Sequence, residues 1–315
     1  MRILFTNIGK RGYLLEYAAE LNTDDFPLEL FASDTTLFTS GFYHCNVEKI
    51  ITPRVSNDED HYIEELLKKC IDNKIEAIIP LMDYELIPLS KNKKRFKEKG
   101  ITILLSDIET IEVCLNKQLT HKFCIKNNIN TPISLFKKSD LKNLNFPVIK
   151  KKIMGSGSVG NTILKSSSGL DTFIEGEDMI QELVSGDEFT MNILNDLNGN
   201  FVHAAFCKKI HRHFGETDKV ESLFSDEFME SAKKLSKLFK HIGIMDLDFI
   251  IDDNDAPCFI DFNPRFGGLY PAVHLSGFNY MKYIIEACRN GTAHFDSTGK
   301  RIALMKGYSL SSFDL

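Results

Sequence analysis

Strands and helices alternate through the first hundred residues, and this alternation most limits what the chain can fold into. The β-prone apolar segments are residues 2–7, 28–33, 49–53, 77–81 and 101–105. Apolar residues at helical spacing fill residues 13–21 and 62–71 between them. Strands alternating with helices predict a parallel sheet with helices on both faces. Residues 1–108 are therefore predicted to form a Rossmann-like domain of the α/β class.

In such a sheet, ligands collect at the carboxyl ends of the strands. The polar residues expected there are the loop of residues 7–11, Asp34, and Asp83 with Glu85. Each of them is equally compatible with a turn or a helix cap, so the sequence leaves both interpretations open.

The pattern changes after about residue 108, where short strands follow one another with tight turns. The β-prone segments there are residues 146–154, 161–165, 179–184, 188–194 and 201–206. The Asn198-Gly199 pair is a strong hairpin signal. A long helix follows, with apolar residues from Phe228 to Ile242, and it is predicted to end at Gly243. This half is therefore expected to be antiparallel and mixed, of the α+β class.

Composition and charge exclude several classes of protein. The chain has 315 residues, of which 43% are hydrophobic and 26% charged, which is an ordinary globular composition. Its net charge of −6 provides no basic field for nucleic acid or an anionic membrane, and its apolar runs are too short to cross a bilayer. The seven cysteines are scattered, without a C-x-x-C pair, and no signal-peptide pattern opens the sequence. We therefore expect a cytoplasmic protein with free thiols.

The acids of one predicted hairpin suggest a metal site. If the turn between strands 247–251 and 258–262 centres on residues 254–255, Asp248 lies opposite Asp261 and Asn263 follows on the same face. Opposite Cβ atoms are about 5 Å apart, and carboxylates that close repel each other unless a cation separates them or one is protonated. Two carboxylates and an amide oxygen suit Mg²⁺ or Mn²⁺. The alternative is a surface hairpin with solvated acids.

Arg265 and a glycine-rich loop point to phosphate. Arg265 lies two residues beyond Asn263, and its planar guanidinium suits a phosphate oxygen. The loop G-S-G-S-V-G at 155–160 fits the dinucleotide pattern, but β-prone residues follow it instead of a helix. It is therefore predicted to be a hairpin tip, either an exposed flexible one or one whose amides wrap a triphosphate. Lys151 in the preceding strand would face the same ligand, while Lys150 and Lys152 point the other way.

Together and in this order, these segments resemble the ATP-grasp superfamily. The strongest parts are F-P-V-I-K-K-K-I-M-G-S-G-S, M-I-Q-E-L-V-S-G-D-E-F-T, H-F-G-E-T-D-K and D-F-N-P-R-F-G-G-L-Y-P. The chain is similar to small single-unit carboxylate–amine ligases that resemble one synthetase half of the carbamoyl phosphate synthase large chain. The resemblance implies a two-lobed ATP-grasp fold, with a small lobe at residues 109–181 that carries the glycine-rich loop as a lid. The large lobe would cover residues 182–315 and hold the metal and phosphate site.

The resemblance also implies roles for individual residues. Those assigned to the ATP phosphates are Lys117, Lys151, Gly155, Ser156, Gly157 and Ser158. The backbone of Gln181, Glu182, Leu183 and Val184 would bind adenine, and Glu188 would bind the ribose. Asp248, Asp261 and Asn263 match the metal ligands, although many relatives have Gln and Glu where this chain has Asp. Arg265 matches the arginine on the transferred phosphate, and Lys209 a basic residue that faces the acyl substrate.

The implied reaction joins a small carboxylate to an amine at the expense of ATP. The carboxylate attacks the γ-phosphate of ATP, and the amine then takes the acyl group, which yields an amide, ADP and phosphate. ATP and Mg²⁺ or Mn²⁺ are the expected cofactors, and a homodimer is compatible with the sequence. The alternatives are an ATP-grasp kinase acting on an alcohol and a nucleotide-binding regulator without turnover. A nicotinamide-dependent enzyme is disfavoured because no G-x-G-x-x-G follows the first strand.

Overall fold

The computed structural model describes residues 1–56, 58–155, 157, 160–213, 216–251 and 256–307, apart from the side chains of Asn143 and His213. Within these residues, the first part is a parallel sheet in the order β3-β2-β1-β4-β5. Its strands are β1 (Arg2–Thr6), β2 (Glu29–Asp34), β3 (Glu48–Ile51), β4 (Ala77–Pro80) and β5 (Thr102–Ile103). Its helices are α1 (Tyr13–Ala19), α2 (Glu59–Asp72) and α3 (Asp83–Lys97). The parallel sheet predicted from the alternation is confirmed.

Two antiparallel sheets follow, after helices α4 (Ile108–Leu115) and α5 (Lys117–Lys126). The smaller sheet has the order β6-β9-β7-β8, with β6 (Ser134–Leu135), β7 (Val148–Lys152), β8 (Thr162–Leu164) and β9 (Asp178–Glu182). The larger sheet has the order β14-β13-β10-β11-β12-β15. Its strands are β10 (Asp187–Asn195), β11 (Phe201–His213), β12 (Glu216–Leu223), β13 (Gly243–Ile251), β14 (Pro257–Asn263) and β15 (Ala303–Met305). The remaining helices are α6 (Asp226–Phe239), α7 (Tyr270–Leu275) and α8 (Tyr280–Asn290).

The end of α6 differs from the sequence prediction. The helix ends at Phe239, and Lys240 adopts a left-handed conformation with φ 48°, from which its N–H donates to the carbonyl of Ser236. Gly243, with φ 72°, instead begins β13. The predicted end at Gly243 was therefore wrong. Lysine rarely adopts positive φ, so the sequence offered glycine as the natural helix stop.

One hydrophobic core joins the parallel sheet to the larger antiparallel sheet. It contains Phe5 and Ile79 from β1 and β4, Leu194 from β10, and Tyr280 and Ile284 from α8, all nearly inaccessible to solvent. Burial of such apolar surface is the main stabilising contribution to folding. This shared core holds the carboxyl ends of β1 and β4 close to the segment after β14. In the described part of the chain, no helix is long and apolar enough to cross a membrane.

Candidate active site

The hairpin of β13 and β14 pairs Asp248 with Asp261, as the sequence predicted, although its turn, residues 252–255, lies outside the described residues. On the turn side Phe249 pairs with Phe259, one residue off the predicted register, and a β-bulge between Asp248 and Phe249 accounts for the difference. Both carboxylates are partly accessible, and each faces a lysine. The Nζ of Lys209 lies 2.5 Å from Asp248 Oδ1, and the Nζ of Lys117 lies 3.7 Å from Asp261 Oδ1. These two cations offset the repulsion between the paired acids.

Asn263, the third predicted metal ligand, lies at the end of β14 on the same face. Its Oδ1 accepts a hydrogen bond from Arg265 Nη2 at 3.2 Å, and its Nδ2 donates to the main-chain oxygen of Asp246. Among the described residues, no group of three or more His, Cys, Asp or Glu side chains has the arrangement of a metal site. Two carboxylates and one amide oxygen nevertheless fit Mg²⁺, because that ion completes its shell with water and phosphate oxygens. The two lysines would then move toward the anionic ligand.

Lys151 is buried on the face of β7 opposite to Lys150 and Lys152, as the strand alternation predicts. It is 6% exposed, and its Nζ donates to Gln181 Oε1 at 2.7 Å. On the other side of the sheet, Lys150 bonds to Thr172, and Lys152 bonds to Glu177 and to Asp178 at the start of β9. Burial lowers the pKa of Lys151, while the nearby Asp261 raises it. A buried lysine with no carboxylate within ion-pair distance in the described chain is well placed to receive an anion.

The glycine-rich segment connects β7 and β8, which pair in antiparallel register, as expected for the two strands of a hairpin. The carbonyl of Gly155 accepts a hydrogen bond from Lys117 Nζ at 2.6 Å. Gly157 has φ 65°. The other two residues assigned to this loop, Ser156 and Ser158, lie outside the described residues. Lys117 therefore links the base of the loop to the acid pair of the hairpin.

The proposed adenine-binding segment connects the two antiparallel sheets. Gln181 and Glu182 end β9 in the small sheet, Leu183 and Val184 follow, and Glu188 lies in β10 of the large sheet. The side chain of Gln181 is turned inward, toward Lys151 and Ser134. Glu188 forms a 2.6 Å ion pair with Arg212.

Arg265 is held by an acid from the other domain. Its Nε and Nη2 donate to the two carboxylate oxygens of Asp83 at 2.8 and 3.0 Å, and Asp83 is the first residue of α3. The side chains are 10% and 13% exposed. Burial opposes the charged form of Arg265, but Asp83 outweighs it and raises the pKa of the guanidinium. From the sequence, Asp83 could be placed only at a strand end, because no pattern in a single sequence pairs residues 182 positions apart.

The other acids at strand ends have structural roles. The buried carboxylate of Glu85 accepts hydrogen bonds from the main-chain N–H groups of Leu81 and Met82 and from Tyr62 and Asn7, so it caps the start of α3. Asp34 accepts from the N–H of Gly9. The turn and cap interpretation therefore accounts for these two acids.

Asp246 belongs to the site and was missed in the sequence analysis. It pairs with Asn263, is 8% exposed, and accepts a hydrogen bond from Thr190 Oγ1 at 2.9 Å. Burial and then Asp248 raise the pKa of Asp246 to about 6. A Cβ atom on Gly267 would lie 2.2 Å from the Cγ of Asp246, so only glycine fits there. Its position two residues before Asp248, on the same strand face, was the available signal.

Comparison with known families agrees with this geometry. Residues 114–269 match the family described as "ATP-grasp domain", and residues 3–104 match "PylC-like, N-terminal domain". The chain belongs to the ATP-grasp superfamily. A search of curated protein sequences finds no significant match.

Solved structures of ATP-grasp proteins share the fold over most of the chain. An L-amino acid ligase from Bacillus licheniformis has a TM-score of 0.71 at 18% identity, over 92% of this chain and 74% of that one. An N5-carboxyaminoimidazole ribonucleotide synthetase from Thermotoga maritima has a TM-score of 0.69 at 18% identity, over 95% of this chain and 78% of that one. A third similar structure is the biotin carboxylase domain of 2-oxoglutarate carboxylase from Hydrogenobacter thermophilus, solved as a dimer with MgADP and bicarbonate. Its TM-score is 0.71 at 17% identity, over 92% of this chain and 69% of that one. These similarities show the fold.

Proposed function

We propose that this ATP-grasp protein is an ATP-dependent carboxylate–amine ligase that acts through an acyl phosphate. The observation that carries the proposal is the set of lysines around the paired carboxylates: Lys117 and Lys151 lie near Asp261, and Lys209 pairs with Asp248. Arg265 bonds to Asn263, the third predicted metal ligand. Cations that surround a pair of metal-binding acids suit a triphosphate whose terminal phosphoryl group is transferred. The similar structures named as ligase, synthetase and carboxylase support the same reaction class.

ATP would lie between the two antiparallel sheets. Lys151 and Lys117 would contact its phosphates, Glu188 its ribose, and the segment after β9 its adenine. Asp248, Asp261 and Asn263 would hold Mg²⁺, which supplies charge neutralisation of the triphosphate when bound. The MgADP complex of the Hydrogenobacter thermophilus domain supports this assignment, and its dimer supports a homodimer here.

The chemistry requires two successive bond exchanges. An oxygen of the substrate carboxylate bonds to the γ-phosphorus as the bond to ADP breaks. The amine then bonds to the acyl carbon, loses a proton, and phosphate leaves with the former carboxylate oxygen. Arg265 and Lys209 would offset the negative charge of the phosphoryl oxygens and the acid during both steps. The loop that contains Gly155 and Gly157 would cover the site and exclude water from the acyl phosphate.

This proposal is tested by incubating the protein with MgATP and pairs of small carboxylates and amines, and by measuring the ADP released with each pair. Hydroxylamine in place of the amine should trap the acyl phosphate as a hydroxamate, with one ADP for each hydroxamate. Lys151→Ala should remove both signals, whereas Lys150→Ala, altered on the opposite strand face, should keep them. ADP formed together with a phosphorylated alcohol would instead identify a kinase. Nucleotide binding without ADP formation for any pair would favour a regulator.

A further inference from the structure

Two arginine side chains from different domains meet at one main-chain oxygen. The carbonyl of Phe266 accepts a hydrogen bond from Arg265 Nη1 and another from Arg11 Nη1, each at 3.2 Å. Arg11 lies in the loop after β1, and its Nη1 also donates to the carbonyl of Leu81. The loop of the N-terminal domain thus brings a second guanidinium beside the one assigned to the phosphoryl group.

The two cations differ in how their charge is compensated. Arg265 has the carboxylate of Asp83, and all three of its guanidinium nitrogens donate hydrogen bonds to protein oxygens. Arg11 forms no ion pair with any carboxylate in the described part of the chain. A partly buried guanidinium next to a like charge is stabilised when an anion binds beside it. Burial first, and then Arg265, lower the pKa of Arg11, while Asp83 and Asp246, which lie beyond ion-pair distance of it, offset only part of this effect.

The hydrogen bonds of Arg11 leave one edge of its guanidinium open. Both of its contacts use Nη1, and Nε and Nη2 donate to no acceptor among the described residues. The side chain is only partly buried. An Nε–Nη2 edge is the planar fork that binds a carboxylate through two parallel hydrogen bonds. A purely structural role, in which Arg11 joins the carbonyls of Leu81 and Phe266, would explain the two hydrogen bonds of Nη1. It would not explain why the Nε–Nη2 edge has no acceptor among the described residues while it lies beside another cation.

Further cations surround the same place. Lys306 lies close to the glycine pair after Arg265, since its Nζ would be 3.8 Å from a Cβ on Gly268. Burial and, to a smaller extent, Arg11 lower the pKa of Lys306, while Glu216, Asp246 and Asp218 raise it. Lys10, next to Arg11 in the loop, is largely exposed and lies 3.9 Å from Glu216. Lys306 therefore adds positive charge near the open fork of Arg11, whereas Lys10 already faces Glu216 and is not expected to contribute.

We propose that Arg11 binds a second, non-reacting carboxylate that belongs to one of the two substrates, through its Nε–Nη2 edge. This inference rests on the proposed ligase function and narrows the substrate class. Either the amine substrate is an amino acid, or the acid substrate is a dicarboxylic acid. In both cases the reacting carboxylate lies near Arg265 and Lys209, and the second carboxylate lies on the N-terminal side of Arg265.

Thermal unfolding of the full chain in the presence of MgADP tests the proposal through matched probes. One arm compares common L-amino acids with their α-amides, and the other compares succinate and glutarate with their monoamides. Concentration series give the dissociation constant of each probe, because a ligand that binds only the folded state raises the unfolding temperature by mass action. In at least one arm, the probe with the additional carboxylate should bind about 10- to 100-fold more tightly than its amide.

The variants separate recognition from structure. Arg11→Met should remove the preference for the carboxylate over the amide and leave the stabilisation by MgADP unchanged. Arg11→Lys keeps the charge but not the fork, so it should retain a small part of the carboxylate preference. Lys10→Met, which removes the adjacent exposed cation, should keep the preference in full. If Arg11→Met does not fold, Arg11→Lys decides the outcome.

Three results would overturn the proposal. The first is that the natural chain shows no preference for the carboxylate in either arm. The second is that the Arg11 variants keep the carboxylate preference unchanged. The third is that Lys10→Met loses the preference as much as Arg11→Met does, which would indicate a diffuse positive field. The thermal stabilisation by MgADP is evaluated separately, because it tests the proposed ligase function. A carboxylate preference that depends on Arg11 without stabilisation by MgADP would contradict the ligase function and still support the anion site.

Discussion

The ion pair between Asp83 and Arg265 should couple the two domains energetically. Two charge-assisted hydrogen bonds of 2.8 and 3.0 Å join the groups, which are 13% and 10% exposed. Removal of one partner from such a buried pair costs about 3–5 kcal/mol, because the other charge stays buried. In Asp83→Asn the cost should lie in this range, since Arg265 also meets the guanidinium of Arg11 at a shared carbonyl.

A double-mutant cycle measures the pair itself. The free energy of unfolding in urea is determined for the natural chain, Asp83→Asn, Arg265→Met and the double variant. The double variant should lose about 2–3 kcal/mol less free energy of unfolding than the sum of the losses in the two single variants. The exposed Glu64–Arg95 pair is a matched control with an N–O distance of 2.6 Å, and its coupling energy should be below about 1 kcal/mol. Additive losses at Asp83 and Arg265 would refute the argument that this pair joins the domains.

Three further predictions concern the nucleotide, the metal and the backbone of the site. Lys151→Ala should weaken ATP binding while Lys150→Ala should not, because the two side chains lie on opposite faces of β7; equal losses in equilibrium titrations would contradict this. Asp261→Ala should remove Mg²⁺-dependent turnover without unfolding the protein, and near-normal activity with the same metal requirement would place the metal elsewhere. Gly267→Ala should lower the free energy of unfolding by about 1–3 kcal/mol, since its Cβ would overlap a buried carboxylate. Gly268→Ala, whose Cβ would have only an ordinary contact at 3.8 Å, should be nearly neutral, and similar losses in the two variants would rule out the overlap.

The parts of the site that were predictable from sequence depend on local periodicity. The pairing of Asp248 with Asp261 was predicted from an assumed turn centre and is observed together with a β-bulge that the sequence did not predict. The inward direction of Lys151 followed from the alternation of a strand. In both cases the relevant residues are close in sequence or on the same element. The fold class was predictable for a similar reason, because strand and helix periods are visible in short windows.

The contacts between domains were not predictable in this way. Arg265 bonds to Asp83 across 182 residues, and Arg11 reaches the carbonyl of Phe266 across 255. Such contacts depend on how the shared hydrophobic core orients the two sheets, and one sequence contains no periodic signal for that orientation. Acids at strand ends also serve as caps, as Glu85 does, so residue type alone could not separate cap from site.

The central claim is that a carboxylate, and no other group, attacks ATP. A substrate carboxylate labelled with ¹⁸O tests it most directly once an active pair of substrates is known. Attack on the γ-phosphorus places a carboxylate oxygen in the acyl phosphate, and displacement by the amine leaves that oxygen on phosphate. Mass spectrometry of the released phosphate should therefore show one ¹⁸O atom for each amide formed. Unlabelled phosphate alongside amide formation, or the label retained entirely in an unreacted acid while ADP accumulates, would contradict the acyl-phosphate mechanism.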